Sequence, residues 1–348
     1  MYTIVFSRAL IFIGLLAINC LCGYSQLPEP LLQLGFGGNN HDWIISGYPL
    51  EDGGQLLTGY SASGNTGDKD AALYGDMDVW VIRTDATGAI AWQQTYGGEK
   101  DELLGDVLFG SDGSFVLGAS SLSLPSGNKT AMRIKWVDYW LVEADSDGNI
   151  LWQNTYGGDE NDVLTCMIQT SDGGFLLGGN SNSGIYGTKT DTCRGLTDYW
   201  IVKLDSLGAV EWEKTLGGSG EENLTSLVQL ADGNFIVGGY SFSPVSGEKS
   251  EYSSLFNPDW WVIMLSDTGE LIWENSMGGS SYDYLYDMYE KEDGIIVLVG
   301  SSSSLISGDK TAAKIGGYDG WIVEINEDGD VLQDIVRCVT GYSYRRGI

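Results

Sequence analysis

Forty-eight carboxylates and a single histidine, His41, set the limits of what this chain can do chemically. A nucleophile–histidine–acid relay and a histidine-built metal site both need more imidazole than one loop histidine beside an aspartate supplies. Glycosidic-bond chemistry needs only two carboxylates. A secreted polysaccharide hydrolase therefore stands as an alternative, although so many acids single out no pair. The cysteines are Cys20, Cys22, Cys166, Cys193 and Cys338, and none forms a Cys-x-x-Cys pair. That removes the usual zinc and dithiol signatures. For the last three, spacing leaves two readings, one disulfide or three unpaired thiols. With neither EF-hand nor nonapeptide calcium spacing present, no metal or cofactor is expected.

Three polar positions recur at a fixed interval. They are Lys69, Lys129, Lys189, Lys249 and Lys310; then Asp78, Asp138, Asp198, Asp259 and Asp319; then Asp42, Glu102, Asp162, Glu222 and Asp283. Five equal copies read as scaffold: a lysine paired with a carboxylate, and an aspartate capping free backbone N–H groups. Taken as exposed pairs, each is expected to contribute about 0–1 kcal/mol. Ligand chemistry is expected instead from residues that break the repeat, namely Arg133, Trp136, Arg194, Tyr252 and Phe256. Trp43 and Trp260 also fall outside the repeating pattern and read as available to a ligand.

The elements that position these residues follow from the same interval. Gly pairs end at Gly38, Gly98, Gly158, Gly218 and Gly279, and an Asp-x-Trp step places Trp80, Trp140, Trp200, Trp261 and Trp321, with steps of 60 residues and one of 61. Such a period means stacked or radially arranged units. Each unit holds four short aromatic and β-branched runs between Gly, Asp and Asn clusters, which are strand signals. The fold expected is all-β, a β-propeller of five four-stranded repeats of about 60 residues. The units run at about 38–97, 98–157, 158–217, 218–278 and 279–336, with a non-repeat tail at 337–348. The strands, a to d, are joined by tight a–b and c–d turns and by b–c loops of about eighteen residues. In an antiparallel unit the b–c and d–a connections share one face, so the recurring polar residues ring that face. The extra residue of the long step falls between Lys249 and Asp259, inside a b–c loop, where insertion is tolerated. Residues 31–36 match the end of a unit and are expected to close the array as an outer strand beside the run at Trp321.

The string DYWIVKLDSLGAVEWEKTLGGSGEENLTSLVQLADGNFIVGGYS, at 198–241, resembles the bacterial β-propeller repeat family called SBBP. The likeness rests on the order Asp-x-Trp, Lys-Leu-Asp-x-x-Gly, an aromatic, Gly-Gly, Asp-Gly-Asn and Gly-Tyr-Ser, and it covers residues 31 to about 336. It implies a secreted propeller and carries no activity with it.

Residues 1–25 read as a secretory signal: Arg8, the apolar run 9–21, and small residues Gly23 and Ser25 before Gln26. The rival is a lipoprotein signal at Cys20 or Cys22. Secretion, or residence in the periplasm or cell envelope, is expected, with no transmembrane segment. A net charge of −30 repels nucleic acid and anionic membrane. The function expected is that of a non-catalytic binding or scaffolding module, a monomer with a protein or glycan partner docked on the b–c face.

Overall fold

A computed structural model describes residues 6–7, 34–251 and 257–337. Five four-stranded antiparallel sheets follow one another along the chain, making an all-β propeller fold. Blade 1 comprises Asp42–Pro49, Gln55–Ser61, Asp78–Thr84 and Ile90–Tyr96 as strands a to d. Blade 2 comprises Glu102–Gly110, Phe115–Ser121, Asp138–Ala144 and Ile150–Tyr156. Blade 3 comprises Asp162–Gln169, Phe175–Ser181, Asp198–Leu204 and Val210–Leu216. Blade 4 comprises Glu222–Gln229, Phe235–Ser241, Asp259–Leu265 and Leu271–Met277. Blade 5 comprises Asp283–Glu290, Ile296–Ser302, Asp319–Ile325 and Val331–Arg337. Phe6 and Ser7 pair with Gly110 and Phe109 at the end of strand a in blade 2.

Strand d runs from exposed at its start to buried at its end, whereas strand c is buried almost throughout, as in Asp198–Leu204 and Asp259–Leu265. Its residues therefore read as a continuous apolar and aromatic run with a buried aspartate at the start. Every strand a carries a bulge at the same place, between Leu164 and Cys166 in blade 3 and between Leu224 and Ser226 in blade 4. The extra residue bends the innermost strand. The c–d turn needs a left-handed residue, supplied by Gly208 at φ 78° in blade 3, while Asp205 accepts the N–H groups of Leu207 and Ala209.

Blades are joined in three ways. Leu104, Leu164, Leu224 and Leu285 of strand a are buried, the first among blade 1 side chains, whereas their counterpart Ile44 is 43% exposed, with no preceding blade against it among the described residues. The residue before each recurring tryptophan lies against the next blade's tryptophan: Tyr139 on Trp200, Tyr199 on Trp261, Trp260 on Trp321. At the outer edge, strand d hooks the following blade's c–d turn. The Tyr96 hydroxyl donates to Gly148 O, the Tyr156 hydroxyl to Gly208 O, and the Trp212 and Trp273 indoles to Asp267 O and Glu327 O. The recurring tryptophans are thus inter-blade packing, as their periodicity implies.

Two expectations are corrected. Trp260 is not available to a ligand: it is fully buried, taking the place that Tyr139 and Tyr199 hold in earlier blades. The outer strand beside Trp321 is Val331–Arg337, not 31–36. A tight turn with Gly329 at φ 84° makes that pairing a local hairpin, which costs far less loop-closure entropy than pairing the two ends of the chain. Residues 34–36 form no strand, and 31–33 lie outside the described residues. Phe36 instead packs on the cluster of Trp80, Ile82 and Ala71.

Candidate binding face

The d–a connection and the b–c loop build one surface together. The acid that opens strand a folds back on the Gly pair: in blade 2, Glu102 accepts from Gly98 N–H at 2.7 Å and from the Ser121 hydroxyl at 2.7 Å. In blade 3, Asp162 accepts from Gly158 N–H and the Ser183 hydroxyl. The glycine is required there, since a β-carbon at Gly98 would run into Ser123. Within the b–c loop a tight turn with Gly127 at φ 58° brings Ser126 and Lys129 together. Lys129 N–H also reaches Gly97 O, tying the loop to the d–a connection.

All five recurring lysines are buried to about 1% exposure. This corrects the expectation of exposed ion pairs. No recurring lysine forms a direct ion pair with its aspartate among the described residues. Lys129 Nζ donates to Ala131 O at 2.7 Å, Lys310 Nζ to Ala312 O at 2.8 Å, and Lys189 and Lys249 donate to Thr215 and Ser276. The ammonium groups of Lys69, Lys129 and Lys189 lie 5.9, 5.7 and 5.2 Å from the ring centres of Trp80, Trp140 and Trp200. Each lysine stem thus fills the floor under a blade's tryptophan. Burial pulls Lys69, Lys129, Lys189 and Lys249 down, Lys129 to about 8.

The recurring aspartates do cap backbone. Asp138 Oδ2 accepts Ile134 N–H, Asp198 accepts the N–H groups of Arg194 and Gly195, and Asp319 those of Ile315 and Gly316. The Oδ1 atoms of Asp78 and Asp138 point at the Gly pair that leads into the next blade. The first glycine of the pair, Gly97 or Gly157, sits between Asp78 and Glu102 or between Asp138 and Asp162, with both carboxylates closer than a β-carbon would allow. Asp78 Oδ1 and Asp138 Oδ1 are fully buried and accept no hydrogen bond. Burial, with the facing acid of the next blade adding to it, pushes Asp78 and Asp138 each up to about 7. Asp162, Asp198, Glu222 and Asp283 are also raised, chiefly by burial. At the junctions of blades 1 and 2 and of blades 2 and 3, two buried acids stand near one buried lysine, an imbalance that a proton on Asp78 or Asp138 relieves.

The water-facing side of this surface differs from loop to loop. Tyr74, Leu124, Met132, Trp136, Ile185, Tyr186, Leu196, Val245, Leu305, Ile306, Ile315 and Tyr318 all stand exposed on b–c loops. Among the described residues, the opposite a–b and c–d turns expose Leu207 as their one large apolar side chain. Of the anticipated ligand residues, Trp136 is 55% exposed. The Arg133 guanidinium donates to Leu122 O. Arg194 is held by Asp191 and Glu248 at 2.9 and 2.8 Å and donates to Thr215 O, so it fastens its loop to the next one. Tyr252 and Phe256 lie outside the described residues. Cys166 is buried in blade 3, the Cys193 thiol donates to Gly195 O, and Cys338 lies outside the described residues.

The structure also brings together a group that the sequence reading passed over. Tyr240, Tyr282, Tyr284 and Tyr318 cluster where blades 4 and 5 meet. Its signal is the breaking of the repeat: where blade 5 has Tyr282 and Tyr284, blades 2 to 4 have Asp101 and Leu103, Asn161 and Val163, Glu221 and Asn223. Among the described residues no three His, Cys, Asp or Glu side chains converge as metal ligands, and no helix is long and apolar enough to cross a membrane.

No protein-family profile matches the chain. It is 26% identical over 291 residues to the regulatory protein FlaEY of Caulobacter vibrioides, covering 76% of this chain and 29% of that protein. The chain thus spans less than a third of that relative's length. Among solved structures it is similar to a protein of unknown function from Dyadobacter fermentans, with TM-score 0.45 and 10% identity over 86% of this chain and 84% of that one. It is also similar to the Kuenenia stuttgartiensis hydrazine synthase, at TM-score 0.41 and 11% identity over 88% and 68%. A carotenoid oxygenase ACO/RPE65 chimera gives TM-score 0.39 and 10% identity over 77% and 58%. None of these structural likenesses says what the chain does.

Proposed function

We propose that the chain is an exported, non-catalytic binding module of SBBP type whose b–c face docks a protein partner. One observation carries this reading: large apolar side chains stand exposed on all five b–c loops and are nearly absent from the turns opposite. Contiguous exposed apolar surface rimmed by polar residues marks an interaction surface. The repeated architecture of each unit, with its buried lysine and capping aspartate, supports loops of different sequence at fixed places, which is how binding loops sit on rigid frames. With a net charge of −30 on the chain, the partner has a basic rim around its apolar contact, and association slows as salt rises. The hydrolase alternative has a weaker footing. The buried acids are occupied as backbone caps, and Glu292, Asp293 and Glu327, in the shallow depression between the turns of blades 4 and 5, lie open to water.

The test is photo-crosslinking in the native host. A benzophenone amino acid replaces Met132, Trp136 or Ile185 in three variants and Leu207 in a fourth. One common adduct from the first three, absent from the fourth, supports the reading. An adduct from Leu207 alone puts the partner on the other face.

A further inference from the structure

We propose that the tyrosine ledge at the junction of blades 4 and 5 is a subsite for a neutral glycan chain. This deepens the binding-module reading and rests on it, but concerns a different part of the same face. Tyr284 is the centre of the ledge. Tyr282 lies 6.3 Å from it with ring planes 16° apart, and Tyr318 lies 6.4 Å from it at 33°. Tyr240 meets Tyr284 edge-on at 5.0 Å and 88°. The rings of Tyr282 and Tyr284 are stacked, that of Tyr318 is tilted and that of Tyr240 stands edge-on, so four aromatic rings adjoin at spacings on the scale of one pyranose. Tyr282 and Tyr318 are 38% and 41% exposed.

The ledge is not scaffold. Residues that build every blade recur in every blade, and these four tyrosines occur together once. Its rim suits sugar hydroxyls. On the Tyr240 side, Asn223 lies across the strand pair from Tyr240, the Glu221 carboxylate holds the Asn223 amide at 3.1 Å, and Asn180 bonds Asn223 in turn, giving a carboxylate and two amides beside that ring. Aromatic faces that stack on apolar C–H surface, with phenol, amide and carboxylate groups to orient hydroxyls, match a pyranose better than a peptide's alternating side chains. The −30 charge and Glu221 select against uronic or sulfated chains, leaving neutral ones.

The experiment is native affinity electrophoresis of the intact protein in gels containing a neutral β-glucan, galactomannan or xylan, with heparin and alginate as anionic controls. At least one neutral polymer retards the protein and the anionic ones do not. Tyr282→Ala and Tyr284→Ala each weaken that retardation by about tenfold or more, as loss of a stacked aromatic anchor does, while Tyr284→Phe keeps it. Unchanged melting of Tyr282→Ala, at the more open position, shows that the loss is not unfolding. Trp136→Ala leaves glycan retention unchanged, so failure of the protein-docking reading and failure of this one are told apart. Retardation by no neutral polymer, by anionic polymers alone, or equally by wild type and Tyr282→Ala would overturn the proposal. So would a protein adduct formed from a crosslinker at Tyr282 that neutral glycan does not displace.

Discussion

Replacing Asp138 by Asn probes the buried charge imbalance between blades 2 and 3. Asp138 meets Ile134 N–H, Lys135 N–H, Lys129 and Asp162, and its Oδ1 accepts no hydrogen bond. Burial raises it from 3.8 to about 7 in the fold. A carboxyl so raised holds its proton in the native state over a range where the unfolded chain has lost it. Its contribution to stability is therefore complete below about pH 4 and is lost as pH rises through about 7. At about 1.4 kcal/mol per pKa unit, the loss between those limits is at most about 4 kcal/mol for this one group. Lys129, drawn down by burial to about 8, acts in the opposite sense. Its native pKa lies below its unfolded one, so stability recovers between about pH 8 and 10.5. The pair titrates together with Asp162, so the measured midpoint belongs to the cluster. Urea unfolding followed by tryptophan fluorescence from pH 4.5 to 8 reads the effect. Wild type weakens across this range, while Asp138→Asn, neutral at every pH, loses about 2–4 kcal/mol less. If both lose the same amount, or Asp138→Asn is the weaker at pH 8, Asp138 is an ordinary carboxylate and the argument fails.

Three further outcomes follow. Lys189→Met removes the buried cation near Asp162 and Asp198, and costs about 3–5 kcal/mol in thermal or urea unfolding because it leaves buried acids without it, not the fraction of a kcal/mol of an exposed pair. Gly157→Ala puts a methyl into the Asp138 carboxylate and lowers stability by more than about 2 kcal/mol, whereas Gly173→Ser, with open space and φ 86°, costs about 1 kcal/mol from backbone strain alone. Tyr156→Phe deletes the hydroxyl that holds Gly208 O at 2.6 Å and costs about 1 kcal/mol, seen as faster amide exchange in the 205–209 turn.

The blade pattern was legible because strand, turn and bulge recur with the period, so each copy corroborated the others. Asp-x-Trp with Asp-Gly and Gly-Gly punctuation marks where strand c starts and where turns fall, and the strands lie there. The buried lysines were not legible, since a charge in a polar loop reads as solvated until the tryptophan above it and the carbonyls around it are placed. Trp260 misled for a related reason: beside Trp261 it looked like an extra aromatic, yet it substitutes for Tyr199 one blade later. The tyrosine ledge escaped because Tyr240, Tyr282, Tyr284 and Tyr318 each look ordinary, and only the packing of blade 5 on blade 4 brings them together. Closure by 31–36 failed because sequence likeness to an outer strand does not weigh a hairpin against a long-range pairing.

The central claim is that repeated residues build the frame while the residues that break the repeat do the binding. It is tested by the affinity of the crosslinked partner for two variants of the protein. In one, Met132, Trp136 and Leu196 on the b–c loops are changed to Ser; in the other, Leu207 and Leu271, at the c–d turn of blade 3 and on strand d of blade 4, are changed to Ser. The account predicts that the first variant weakens binding by at least about a hundredfold with unchanged melting, and that the second binds as wild type. Loss of affinity in the second variant with the first unaffected would contradict it.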